Sequence, residues 1–251
     1  MSVAVANQPE NTSAAGRAPC ALVVWEPLPG EIGAAIDWSR WYLTDEEDMG
    51  EGAEQDLLIT ILKSILQVLV AERGWRRVHV GSDQFFAWRQ DEPLVRVSPD
   101  VYLLDDPPPR PLPAMWQTWR AGHLPPRFAV EIVSGDGWRK DCQDNPPKYA
   151  QLGTRELVVF DPEAAAGTSR APERIALQVF RRDPDGAFMR VYKGDGPARS
   201  EEIDAWLVIL REGDAATLRI ARDGAGRDLV PTEHERVTEL EAEIERLHRE
   251  G

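Results

Sequence analysis

Two short apolar runs in the middle of the chain constrain its fold more than any other feature. Residues 128–133 and 156–161 are each mostly apolar, which is typical of strands buried on both faces of a sheet. The connection between them contains Asn145-Pro146-Pro147-Lys148, in which Asn145 suits a helix N-cap and the prolines suit the first turn. The sequence therefore predicts a strand, a helix and a second strand parallel to the first.

The remaining elements follow from periodicity and turn residues. Leucine and isoleucine recur at helical spacing through residues 51–73, and the pattern ends at Gly74. Residues 78–88 and 94–104 are predicted strands, and residues 115–120 a short helix. Two later hairpins are predicted around turns at residues 183–186 and 223–226. The predicted fold class is α/β, a mixed β-sheet flanked by helices, with C-terminal β-hairpins and a terminal helix.

Three segments are expected along the chain. Residues 1–20 lack periodicity and are interpreted as a disordered leader, and residues 21–230 as one folded domain. Residues 231–251 are predicted to form a C-terminal amphipathic helix that begins with a capping box. Its apolar residues follow coiled-coil spacing, which favours pairing with another helix: Val237, Leu240, Ile244 and Leu247.

Composition excludes several classes of protein. The 43 acidic and 29 basic side chains give a net charge of -14, so any binding to phosphates must be local or assisted by a metal. The two cysteines and four histidines show no zinc-ligand spacing. The sequence shows no membrane-length apolar run and no signal peptide, so a cytoplasmic location without membrane association is expected.

Two acidic residues interrupt apolar segments. Glu131 lies between Val130 and Ile132, where an ionised carboxylate costs several kcal/mol unless it is paired or binds a metal. Asp100 poses the same question within the apolar stretch of residues 95–104. If the two strands are neighbours, both carboxylates can converge on one divalent cation, with Mg²⁺ the expected ion. The alternatives are a salt bridge from Glu131 to a buried arginine and an ordinary turn at Pro99-Asp100.

The order of several short motifs adds a resemblance. Ser98-Pro-Asp-Val101, Val130-Glu-Ile-Val-Ser134, Asp141, Lys148-Tyr149, and Gly153 followed by residues 156–162 together resemble the Uma-two family. The similarity also takes in residues 48–51, residues 116–126 and residues 218–235, so it covers most of the chain beyond residue 45. These are proposed endonucleases of the PD-(D/E)XK superfamily.

The resemblance implies a restriction-endonuclease-like core and hydrolysis of phosphodiester bonds in DNA. It implies that Asp100 and Glu131 bind Mg²⁺ or Mn²⁺, and that the backbone carbonyl of Ile132 is a further ligand. The cation would orient and acidify a water and stabilise charge on the phosphate. A lysine normally assists that water or the leaving phosphate.

The expected lysine is missing at both familiar positions. The residue two after Glu131 is Val133, and the helix position four residues after Asp141 is Asn145. Lys148 is the chosen substitute, and Lys140 is the second candidate, although Pro146 and Pro147 argue against a continuous helix back to Asp141. On the first helix, Gln55 stands where many relatives carry a histidine, and Glu51 or Glu54 are candidate accessory carboxylates.

The sequence thus predicts a metal-dependent endonuclease with Asp100, Glu131 and Lys148 as catalytic residues. The rival is a catalytically inactive protein of the same fold that acts as an interaction module and pairs, as a homodimer, through its C-terminal helix. The missing lysine and the acidic charge favour the rival, whereas the acidic pair favours the enzyme. The sequence leaves open the choice of DNA or RNA, the target specificity, the physiological role and the oligomeric state.

Overall fold

The structure is a computed structural model that describes residues 52–135 and 138–250. Its α-helices are α1 (Ala53–Glu72), α2 (Asn145–Leu152), α3 (Pro162–Ala166) and α4 (Glu233–Glu250). Its first six strands are β1 (Val78–Gly81), β2 (Phe85–Ala87), β3 (Arg96–Val97), β4 (Val101–Asp105), β5 (Met115–Gln117) and β6 (Phe128–Ile132). The others are β7 (Glu156–Phe160), β8 (Leu177–Arg182), β9 (Phe188–Gly194), β10 (Ala198–Ser200), β11 (Ala205–Glu212) and β12 (Ala215–Ala221).

A six-stranded mixed sheet forms the centre of the molecule, in the order β1-β4-β6-β7-β8-β9. Among its described strands, β6 and β7 are the one parallel pair, and the other neighbours run antiparallel. All five residues of β6 and of β7 are buried, as expected for strands covered on both faces. The predicted parallel pair around a connecting helix is therefore confirmed.

The two faces of this sheet carry separate apolar cores. On one face, α1 packs with Val101, Leu103, Val130 and Ile132. On the other, Tyr102, Ala129 and Val133 pack with Tyr149 of α2. Because side chains alternate along a strand, a residue's position in β4 or β6 fixes the layer that it faces.

The predicted α/β fold class is confirmed, including the C-terminal hairpins and the terminal helix. Antiparallel β8 and β9 form the predicted hairpin, closed by Asp183 and Ala187. The second hairpin differs in detail. After the predicted turn at residues 223–226, the expected second strand is reduced to a bridge between Ala221 and Leu229. The main partner of β12 is β11, which local spacing did not indicate.

Two other predictions about local structure were wrong. The predicted helix at residues 115–120 is strand β5, because Met115 and Trp116 pair with Phe85 and Phe86 of β2. The predicted break before Pro146 is also absent, since a π-helical turn at Lys140–Asp144 leads directly into α2. A wider turn of this kind moves the preceding carbonyls away from a proline ring that would clash with them in an α-helix.

The structure tests only some of the predictions about the two ends of the chain. The predicted leader at residues 1–20 and the start of the folded domain at residue 21 lie outside the described residues. Helix α4 is present, and its four apolar coiled-coil residues are each more than half exposed. None of the helices formed by the described residues has the length and apolar character that a membrane crossing needs. The domain boundaries and the cytoplasmic location stay predictions.

Candidate active site

Asp100 and Glu131 lie on the same face of the main sheet. Val101 pairs with Val130 across antiparallel β4 and β6, so Asp100 stands opposite Glu131 at the next position of the register. Tyr102, two residues after Asp100, and Ala129, two residues before Glu131, belong to the layer that contains Tyr149, so both carboxylates face that layer, and both are buried. The arrangement that would have excluded a shared cation, with the carboxylates on opposite faces, is therefore absent.

The carboxylate of Asp100 is held against the end of β6. Its Oδ2 accepts a hydrogen bond from the backbone N–H of Ile132 at 2.5 Å. Its Oδ1 accepts one from Nε2 of Gln55 at 2.9 Å, and the same nitrogen lies 3.5 Å from the carbonyl oxygen of Ile132. A carboxylate oxygen and a main-chain oxygen therefore converge on a single point, where the amide nitrogen of Gln55 now lies.

Glu131 is held by neutral donors. Its Oε1 accepts hydrogen bonds from the Tyr149 hydroxyl at 2.6 Å and from Nδ2 of Asn145 at 3.2 Å. Burial is the largest cause of a pKa well above the ordinary value for Glu131, and the charges of Asp100 and then Asp141 raise it further. Among the described residues no arginine forms an ion pair with Glu131, so the salt-bridge alternative is not observed.

The π-helical turn brings a third carboxylate to the site. The side chain of Asp141 is buried, and its Oδ1 accepts a hydrogen bond from Nδ2 of Asn145 at 3.2 Å. The amide of Asn145 therefore bridges Asp141 and Glu131, at the helix position where the resemblance placed a lysine. Sequence reasoning gave Asp141 no role, although its spacing of four residues from Asn145 and eight from Tyr149 was the available signal.

The two candidate lysines have different surroundings. Lys140 is partly exposed, with its Nζ 3.5 Å from Oδ1 of Asp141, and its charge lowers the pKa of Glu131. Lys148, the substitute chosen from the sequence, is fully buried in α2. On the first helix, Gln55 contacts the site, Glu54 is exposed, and Glu51 lies outside the described residues.

A comparison with protein families decides the assignment. The model of the Uma2 family, described as "Putative restriction endonuclease", matches residues 46–203, which is more than half of the chain. The chain belongs to the Uma2 family. The match includes every residue assigned here to the site, from Gln55 to Tyr149, and it supports a nuclease function in general terms.

Comparisons with individual proteins give weaker similarities than the family match. A solved structure of a "putative nuclease belonging to DUF820" from Anabaena variabilis is 14% identical to this Uma2 chain. The similar region covers 62% of this chain and 75% of that one, with a TM-score of 0.39. No curated protein matches the sequence.

The side chains of this Uma2 site are suited to a hard cation only with help from other oxygens. Within the described part of the chain, no three His, Cys, Asp or Glu side chains form a group that could hold a metal ion by themselves. Asp100 and Glu131 supply carboxylates. The carbonyl oxygen of Ile132, which converges with Asp100 Oδ1 on one point, supplies a main-chain ligand. Oxygen sets of this kind, completed by water, fit Mg²⁺.

Proposed function

We propose that this protein is a Mg²⁺- or Mn²⁺-dependent endonuclease that hydrolyses phosphodiester bonds in DNA. The observation that carries the proposal is the convergence of Asp100 Oδ1 and the Ile132 carbonyl on one point beside Glu131. Two buried carboxylates facing each other repel, and a divalent cation between them offsets that repulsion. The family assignment, made from the sequence, supports the same reaction.

Asp100, Glu131 and the Ile132 carbonyl would hold the cation. When bound, it supplies Lewis acidity that lowers the pKa of a water and stabilises charge on the phosphate. Gln55 places an amide at the same point, and rotation of that amide by half a turn offers its oxygen instead of its nitrogen. Tyr149 and Asn145 fix the direction of the Glu131 carboxylate through their hydrogen bonds.

A basic residue completes the proposed site. The ammonium of Lys140 lies at the carboxylate cluster and is partly exposed, so its charge can act on a bound phosphate. Lys148 remains the residue predicted from the sequence. Replacing each lysine in turn by glutamine separates the two: the variant that slows cleavage at unchanged DNA affinity identifies the assistant.

Plasmid nicking tests the proposed function. We expect the purified protein to nick supercoiled DNA in Mg²⁺ or Mn²⁺ but not in EDTA, and we expect Glu131→Gln to abolish nicking. Glu202→Gln is the control, because Glu202 is a partly buried glutamate that also has a raised pKa but lies outside the site. Absence of nicking by the wild type, or equal nicking by wild type and Glu131→Gln, contradicts the proposal.

The exposed stripe on α4 supports a second candidate function. Val237, Leu240, Ile244 and Leu247 are between 51% and 55% exposed, although they are large and apolar. Regular spacing of such residues on one helix favours a helical partner, with a second copy of the chain as the expected one. This interaction role is the alternative if the site is inactive.

A further inference from the structure

A cavity of about 660 Å³ opens beside edge strand β1, between α1 and the loop that follows β4. Two residues with fixed positive charge line it, Lys63 from α1 and Arg110 from the loop, together with His79 of β1. Among the described residues that line it, none is an aspartate or a glutamate. In a chain of net charge -14 this is a local concentration of positive charge.

The positive charges of Lys63 and Arg110 both act on His79 in the cavity lining. Lys63 donates a hydrogen bond to the Ser82 hydroxyl at 2.8 Å, which directs its ammonium toward the end of β1. Burial, then Arg110, then Lys63 lower the pKa of His79, so both cations act at the same place. An opposing charge comes from Asp83, which is exposed, accepts a hydrogen bond from the Ser98 hydroxyl at 3.4 Å and raises the pKa of Tyr102.

Tyr102 adds a hydrogen-bond donor to this lining. Only 2% of the residue is exposed, and its ring crosses over Gly81, whose missing side chain leaves the space for the hydroxyl. Burial raises the pKa of Tyr102 to about 12, so the hydroxyl stays protonated and able to donate at neutral pH.

We propose that this cavity binds a phosphate of the nucleic-acid strand on which the neighbouring carboxylates act. Lys63 and Arg110 supply charge, and the Tyr102 hydroxyl and the Ser82 side chain supply hydrogen bonds to the phosphate oxygens. The proposal rests on the nuclease function proposed above, and it assigns to that function a separate contact with the backbone of the substrate.

The distance from the carboxylates fits such a contact. Tyr102 follows Asp100 by two residues in an extended segment, a separation of about 7 Å. Lys63 follows Gln55 by eight residues on α1, a separation of about 12 Å. Phosphates of one DNA strand recur every ~3.4 Å along the helix axis, so both separations place the cavity within a few nucleotides of the cation site.

Binding of a fluorescent DNA oligonucleotide in EDTA tests the inference without cleavage. The test variant carries Lys63→Gln and Arg110→Gln, and the control carries Lys193→Gln and Arg170→Gln, two exposed cations away from the cavity that lose the same charge. We expect the test variant to bind about tenfold more weakly. Its slope of log affinity against log salt should also fall by about two, with the control unchanged on both measures.

Other results would overturn the inference. One is a wild type that does not bind DNA, and another is an equal loss of DNA affinity in the test and control variants. A third is an unchanged salt slope in a test variant that keeps the wild-type thermal midpoint. A separate titration with inorganic phosphate distinguishes a site for free anions: loss of phosphate binding with unchanged DNA binding would identify one and contradict a strand contact. Because plasmid nicking does not enter these measurements, the nuclease proposal and the cavity proposal can fail independently.

Discussion

At the residue scale, the hydroxyl of Tyr149 is the closest donor to Glu131, at 2.6 Å. Tyr149→Phe removes that donor and leaves a buried carboxylate less well satisfied. We expect the variant to lose about 1–3 kcal/mol of stability and to cleave DNA more slowly, because the direction of the Glu131 carboxylate is less defined. Chemical denaturation and plasmid nicking measure the two effects. Wild-type values in both would contradict the role assigned to this hydrogen bond.

The pKa of Glu131 gives a prediction about pH. Burial, and then the charges of Asp100 and Asp141, place that pKa well above 4.5, so the folded chain disfavours the ionised form. The contribution to stability is therefore complete below pH 4.5 and is lost as the pH rises through the folded-state pKa. In EDTA the wild type should lose stability relative to Glu131→Gln as the pH rises above 4.5.

Thermal midpoints across that pH range, for both proteins, check this prediction. Added Mg²⁺ should reduce the difference at high pH, because a bound cation favours the ionised carboxylate. Parallel profiles for the wild type and Glu131→Gln would show that Glu131 does not titrate differently in the folded chain.

At the scale of elements, the sequence predicts what depends on local pattern. The apolar runs of β6 and β7, the turn of β8 and β9, and the periodic helix α1 all follow from spacing within about twenty residues. Strand β5 could not be predicted this way, because its three residues are defined by parallel pairing with β2, thirty positions earlier. The π-helical turn could not be predicted either, because Pro146 and Pro147 normally indicate that a helix does not continue on their N-terminal side.

In the candidate site, too, some residues could be predicted from local sequence and others could not. Asp100 and Glu131 could be identified because charged residues in apolar strands require a partner. Neither the bridging amide of Asn145 nor the inclusion of Asp141 could be found in the same way, because both depend on the path of the turn before α2. Gln55 was noted only as a family position, and its contact with Asp100 spans 45 residues.

The packing of the Tyr102 ring over Gly81 predicts how strand β1 responds to a substitution. A Cβ at Gly81 would lie 2.3 Å from the Tyr102 ring and hydroxyl, and Tyr102 is buried between β1 and Phe86. Gly81→Ala should cost about 1–3 kcal/mol through overpacking. Gly196→Ala is the control, because its Cβ meets the Tyr192 hydroxyl at an ordinary 3.6 Å. Equal denaturation midpoints for the two variants would contradict the packing described for β1.

At the scale of the whole molecule, the C-terminal stripe predicts self-association. Two heptads are too short for a stable coiled coil, so α4 would strengthen a dimer that other surfaces also hold. Replacing Leu240 and Ile244 by serine should raise the dimer dissociation constant at least tenfold, measured by analytical ultracentrifugation. A wild type that remains monomeric at all concentrations would contradict the interaction role, and an unchanged constant would remove α4 from the interface.

The central claim is that Asp100 and Glu131, with the carbonyl of Ile132, form one site for a divalent cation. Titration of the metal-free protein with Mn²⁺, followed by electron paramagnetic resonance, tests that claim directly. We expect about one bound ion per chain, at least tenfold weaker binding in Asp100→Asn and in Glu131→Gln, and unchanged binding in Glu202→Gln. Mn²⁺ binding that is absent from the wild type, or that survives both site substitutions, would contradict it.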